Sequence, residues 1–405
     1  MGKTLIHIKT KNGKVLASPI PVTIALYFMM FAYAVSNTLI GPLVIVFIKQ
    51  YAISLSANGL ITLFQGVGGI LFLIIGIFYG DKLLKPTWII ITFFSYCVAM
   101  TLLAFVSAYY QILILFFIIG ANTRMLDAMM NAYVAEIHME KRAFFLNILH
   151  ACYGAGALIG PILSSFFISQ NIQINFMFLG LGMFCLLIFA FFLYINKHSR
   201  IVSIRSEART IRTVIKLIKN RNLLIMCTMA FLYVGYALGL STWLPAFMVQ
   251  EMHTDVIFSG LVVSALWSGI VTGRISHSFL SLRYKKRNLI IFGNLIGGTA
   301  ILSAILINNP IAYIFGLFIS AFFISAIMPL TMAMTGELFL QQTGSASSII
   351  MLGATMGLMI VPWMIGLVAE NVDFWAAILI VGLFSYLISI LAVFLQAGRE
   401  APPKK

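Results

Sequence analysis

Apolar runs of nearly uniform length alternate with short polar breaks along almost the whole chain. Each run holds roughly 20 mostly apolar residues, the length a helix rising 1.5 Å per residue needs to cross a bilayer. Twelve such runs begin near Pro21, Asn58, Thr87, Gln111, Phe144, Asn175, Asn222, Phe258, Asn288, Ile311, Gly344 and Phe374. Period-two alternation is sustained nowhere, so a β-barrel is not expected. The pattern predicts an all-α membrane protein of twelve transmembrane helices.

Composition agrees with the pattern. A chain of 405 residues that is 61% hydrophobic and 9% charged has too little polar surface to cover a soluble globule. The net charge of +15 does not imply a nucleic-acid partner, because the basic residues are divided among loops instead of sharing one face. Lysines and arginines gather in the N-terminal tail, in "DKLLK", at Lys141 and Arg142, between Lys197 and Arg221, in "RYKKR" and at the C-terminus. These tails and even-numbered loops hold 23 of the 26, leaving Lys49, Arg124 and Arg274. By the positive-inside rule both termini are expected in the cytoplasm of a multi-pass cell-membrane protein. The N-terminal tail lacks the pattern of a cleaved leader, so the first span is expected to serve as the insertion signal. Cys97, Cys152, Cys185 and Cys227 lie singly inside spans, which suits packing better than disulfides or metal ligation.

The longest polar interruption, Asn196 to Asn222, follows the sixth span and divides the chain in two. The expected parts are a tail 1–20, a six-helix half 21–196, a basic linker 197–221, a second six-helix half 222–396 and a tail 397–405. Two such halves about an axis along the membrane normal are a recurring transporter plan, with substrate bound between them near the midplane.

Local stretches sharpen this reading. "GIFYGDKLLK" (Gly76 to Lys85) follows span two, and "GIVTGRISHS" (Gly269 to Ser278) follows span eight. Each resembles the glycine-plus-charge signature of the major facilitator superfamily, although no acid follows Arg274. The resemblance implies a cytoplasmic gate of Asp81, Lys82, Lys85 and Arg274; the plain alternative is a positive-inside loop with small-residue packing. "LDAMMNAYVAE", "LNILHACYGAGALIGP", "YVGYALGLSTWLP", "LWSGIVTGR", "MPLTMAM" and "GATMGLMIVPWMIG" resemble the fucose-permease-like branch of that superfamily, from span one to span twelve. That branch often carries an acid where this chain has Ala237.

Within "GANTRMLDAMMNAYVAE", Arg124, Asp127 and Asn131 are spaced i, i+3, i+7 and share one helical face. A charge at a span's centre costs about 2.5 to 3.5 kcal/mol even on the lenient scale, so this face is expected to meet a water-filled cavity. In the resembling family an acid at the place of Asp127 accompanies proton-coupled sugar transport, and an asparagine matches Asn131. Asp127 either binds substrate or protons, or forms a static neutralising pair with Arg124.

Span five offers Asn147, His150 and Tyr153 at i, i+3, i+6, either lining the cavity or lying near the interface. A sugar would be held by convergent hydrogen-bonding groups and an aromatic platform. Asn37, Gln65, Tyr233, Tyr236, Trp243, Trp267 and Trp363 are candidates for that cavity, with a lipid-facing place the alternative for each aromatic. Pro245 and Pro362 are expected to mark kinks.

No nucleophile with a base and no metal cluster suggests an enzyme or a cofactor, and two repeated halves do not suggest a channel. The expected function is secondary active transport of a small polar solute, a sugar or sugar-like compound, by a monomer using alternating access and protons through Asp127. The alternative is a proton-driven antiporter exporting lipophilic compounds, suggested by "GALIGP" and the Met-rich spans.

Overall fold

The computed structural model describes residues 19–395 except 39–42, 44–45, 48–49, 52, 54, 171, 200–209 and 255. Lys49, the N-terminal lysines, the middle of the linker and the C-terminal basic residues lie outside the described residues.

Among the described residues, twelve helices are long and apolar enough to cross a membrane. They are α1 (Ile20–Thr38), α2 (Leu55–Tyr79), α3 (Lys85–Leu102), α4 (Tyr109–Ile137), α5 (Arg142–Ser169), α6 (Ile174–Ser199), α7 (Arg221–Gln250) and α8 (Val256–Leu280). The others are α9 (Lys286–Ile307), α10 (Pro310–Leu338), α11 (Thr343–Asn371) and α12 (Phe374–Val393). The span α10 consists of two pieces, Pro310–Ile324 and Ile327–Leu338. A single apolar run suffices for each element because a helix satisfies its backbone groups internally, which hydrocarbon demands.

Polar residues at the breaks hold the starts. Asn220 accepts from the Leu223 N–H at 3.2 Å, Asn309 from the Ile311 N–H at 2.8 Å and Asp373 from the Ala376 N–H at 2.6 Å. Gln111 reaches back to the backbone of Ser107 and Ala108 at the start of α4. The prolines Pro245 and Pro362 sit inside α7 and α11, which run through them. The helix α6 continues three residues past the expected end of its half, and the linker holds a short helix, Ile211–Ile218, that buries Val214 and Leu217. Its apolar residues stand three apart, a helical pattern too short to register as an element in the sequence.

The packing is built from equivalent pairs. The pair α2 with α4 corresponds to α8 with α10, and α1 with α5 corresponds to α7 with α11. Across the two sets, α2 packs on α11 as α8 packs on α5. Every one of these pairs maps onto its counterpart when a helix is exchanged for the one six places later, as a two-fold between six-helix halves requires.

With no hydrophobic force between helices in lipid, close packing decides the contacts. A Cβ on Gly120 of α4 would stand 1.9 Å from the Gln65 carbonyl oxygen, and one on Gly68 of α2 would stand 2.2 Å from that of Phe117. Only glycine admits these two helices to each other at that distance.

Candidate functional site

The sixth and seventh spans meet the linker on one face of the bundle, here the linker side; the opposite face is the distal side. A cavity of about 390 Å³ lies between the halves, lined by α1, α2, α4 and α5 from one and α7, α8, α10 and α11 from the other. Asp127 sits ten residues from the linker-side end of α4, about 15 Å deep. It is 6% exposed and lines this cavity, as the polar face of α4 required.

The helix positions Asp127 through its own next turn. The amide of Asn131 donates to the Asp127 carboxylate at 2.8 Å and to its backbone carbonyl at 2.9 Å. The other end of that amide, Oδ1, is an acceptor, so the His150 Nε2 at 2.9 Å carries the hydrogen of this bond. Asp127, Asn131 and His150 therefore form one continuous polar line from α4 to α5. His150 lines the cavity; Asn131 is fully buried behind it.

Arg124 enters the same cavity one turn towards the distal side. Its stem passes over Gly69 of α2, where a Cβ would stand 2.6 Å from the arginine Cγ. Among the described residues, Arg124 makes neither a hydrogen bond nor an ion pair within 4 Å, with Asp127 or with any other group. A contact pair that merely neutralises charge is thus not what the geometry contains.

The arginine of span eight departs from expectation. Arg274 is not part of the linker-side gate; it forms the cavity floor, 6% exposed. Its Nη1 donates to the His150 carbonyl at 2.7 Å and its Nη2 to the Tyr233 hydroxyl at 3.0 Å, so it ties α8 to α5 across the halves. Its Nε has no acceptor among the described residues. The reason is rotational: the residue lies six positions inside the end of α8 and faces the opposite half.

The contact between the halves on the linker side has other members. The carboxylate of Asp81 accepts from the backbone N–H groups of Gly344 at 2.9 Å and Ser345 at 3.1 Å, and from the Ser345 hydroxyl at 2.8 Å. These donors form the first turn of α11, whose partial positive charge suits an anion. Lys85 Nζ lies 2.9 Å from both Asp81 and Glu136, and Thr343 donates to Glu136. All three charged side chains are buried, and the cluster joins the halves on the linker side. Lys82 is exposed, with its ammonium 5.6 Å from the centre of the Tyr79 ring. Glu136 escaped sequence reasoning because it sits one residue before a helix end, where an acid is ordinarily solvated.

Of the remaining candidates, Asn37, Gln65, Tyr233 and Trp267 line the cavity. Gln65 donates to Asn37 at 2.8 Å, Asn37 to the Tyr153 hydroxyl at 3.4 Å, and Trp267 to Ser241 at 3.1 Å. Four expected residues are not on its wall. Trp363 is 65% exposed on the outer face of α11. Trp243 is turned into its own half, donating to the Pro362 carbonyl at 2.8 Å, and Tyr236 is buried against Ser320. Asn147 is buried and donates to the Ala143 carbonyl. Positions three and ten apart drift around a helix enough that a shared stripe in sequence need not face one cavity. Tyr33 also lines it, a residue whose apolar neighbours hid it.

A cavity between two equivalent helical halves, with charged side chains at mid-depth, defines a membrane carrier. The family model of the Major Facilitator Superfamily matches residues 26–310 and 277–405, and the chain belongs to that superfamily of membrane transporters, which are not enzymes. It is similar to the glucose/mannose transporter GlcP of Bacillus subtilis, 24% identical over 282 residues, covering 66% of this chain and 68% of that protein. Two solved structures share the fold. The E. coli fucose:proton symporter FucP superposes with TM-score 0.76 at 20% identity, covering 94% of this chain and 100% of that one. The human organic anion transporter MFSD10 (TETRAN) superposes with TM-score 0.76 at 14% identity, covering 92% and 99%.

Proposed function

We propose that this protein is a secondary active transporter for a small polar solute, a sugar or sugar-like compound, working as a monomer by alternating access with protons coupled through Asp127. The observation that carries the reading is the charged, hydrogen-bonding cavity at mid-depth, closed by the Asp81 cluster on the linker side. Its volume of about 390 Å³ lies at the small end of ligand pockets, suited to a single small ring and little more. The names of GlcP and FucP agree with that substrate class. Export of lipophilic compounds is not favoured, because buried guanidinium and carboxylate groups penalise an apolar occupant.

The halves, 21–196 and 222–396, rock about this site, and the Asp81 cluster opens when the distal side closes. Protonation of Asp127 would weaken its carboxyl's hold on Asn131, and through Asn131 on His150, which links a proton to the floor that Arg274 spans. The chain sits in the cell membrane with the linker side cytoplasmic, a placement that the basic-residue distribution supports. Labelling of Ser203→Cys and Asn309→Cys by an impermeant reagent tests this orientation: reaction at 203 and not at 309 in intact cells reverses it.

For coupling, Asp127→Asn should leave a folded protein that exchanges labelled sugar between two equal pools yet accumulates none against a gradient. Full concentrative uptake by the Arg124→Gln, Asp127→Asn double variant would remove Asp127 from the mechanism.

A further inference from the structure

The charges facing the cavity do not cancel. Among the described residues its wall carries two guanidiniums, Arg124 and Arg274, and one carboxylate, Asp127. Both cations lie near enough for their charges to act on Asp127, yet neither forms an ion pair with it. Among the described residues, Arg274 is committed to neutral oxygens and keeps one N–H without an acceptor, and Arg124 has no acceptor. Arg274 is buried and Arg124 half-buried, and a cation drawn away from bulk water is costly until something supplies an anion or enough acceptors. A neutral sugar offers hydroxyls but no charge, and the cavity would remain one positive charge in excess.

We propose that the solute carried in this cavity is a monocarboxylate, a sugar acid or a comparable polyhydroxylated acid, with its carboxylate on Arg124. The inference rests on the reading of this cavity as the substrate site and narrows its occupant. The planar fork of Arg124 matches a carboxylate with two parallel N–H···O bonds. One negative charge balances the excess left by two guanidiniums and an ionised Asp127. The rest of the wall supplies what a polyol needs: Gln65, Asn37 and the Tyr153 hydroxyl form a hydrogen-bonded line on one side, and the Trp267 ring lies on the other. The built character of the arginine site is seen in Gly69, whose missing side chain leaves room for the Arg124 stem.

The test compares matched solutes on the purified full-length protein in proteoliposomes: glucose against glucuronate, and galactose against galacturonate. Labelled uptake and thermal stabilisation are both read. The expected result is at least a tenfold preference for each acid over its neutral partner, abolished by Arg124→Gln and reduced but not abolished by Arg124→Lys, which keeps the charge and loses the two-pronged fork. Partial retention in the lysine variant shows that the charge, and not the packing of a large side chain, sets the preference. If neutral sugars bind equally or better, or if Arg124→Gln leaves the acid preference unchanged, the carboxylate assignment is overturned while the cavity stands as a sugar site. If neither member of any pair binds or moves, the cavity reading and the carboxylate assignment fall together.

Discussion

Replacing Asp81 by Asn tests how the linker side is held shut. In the structure one carboxylate receives three donors from α11, two backbone N–H groups and the Ser345 hydroxyl, besides Lys85 Nζ. The amide of Asn has nearly the same shape but a single acceptor oxygen and no charge. Hydrogen bonds to a charged group contribute about 1.5–3 kcal/mol each and neutral ones about 0.5–1.5 kcal/mol. Losing the charge and at least one donor's partner should weaken closure by about 2–4 kcal/mol. At about 1.4 kcal/mol per factor of ten, the ratio of linker-side-closed to linker-side-open molecules falls by roughly 30- to 1,000-fold. The protein should still fold, because Lys85 keeps Glu136 as its partner. The assay is the labelling rate of Thr62→Cys, a cavity position, by an impermeant maleimide from the distal side in a background without the native cysteines. Because alternating access needs the two states near balance, the rate should drop more than tenfold in Asp81→Asn and by a smaller factor in Ser345→Ala, which removes only a neutral donor. Unchanged labelling together with unchanged flux in Asp81→Asn would refute the argument that this carboxylate latches the halves.

Gly120→Ala must push α4 off the Gln65 backbone, and overpacking of this kind costs about 1–3 kcal/mol, visible as a lower melting temperature in detergent. Gly180→Ala, where nothing lies within 4 Å, is its control and should melt as the wild type does. His138 lies just beyond α4, bonded to Thr23 at 2.6 Å and stacked on Phe145, and burial pushes its pKa down from 6.5 to about 4. The unfolded chain then binds more protons than the folded one between those values, so stability is level above pH 6.5 and falls as the pH drops towards 4. The loss is about 2 kcal/mol at pH 5 and absent in His138→Gln; equal losses in both proteins would exclude His138 as the cause. Trp267→Leu should reduce transport severalfold through the cavity wall, while Trp363→Leu, on the outer face, should leave it within twofold.

Much of the architecture was legible in the residues themselves. In hydrocarbon each helix must satisfy its own backbone, so a span is a local property of about 20 residues and appears directly as an apolar run. The twelve spans and the break after the sixth were read this way. The cavity-facing side of α4 was legible for a related reason: Asp127 is too deep to reach water except through a cavity, and i, i+3, i+7 spacing carries Arg124 and Asn131 with it. Pairing between the halves had no such local signature. Asp81 and Gly344 are 263 positions apart and Arg274 and His150 are 124 apart, and what joins them is how far each helix is rotated about its axis when glycines let the neighbours close in. Rotation alone decided that Arg274 faces the cavity instead of the gate, that Trp363 faces outward, and that Arg124 stands beside Asp127 without touching it. Composition determined that charge would be buried; only packing between distant helices decided which charges meet and which face the cavity.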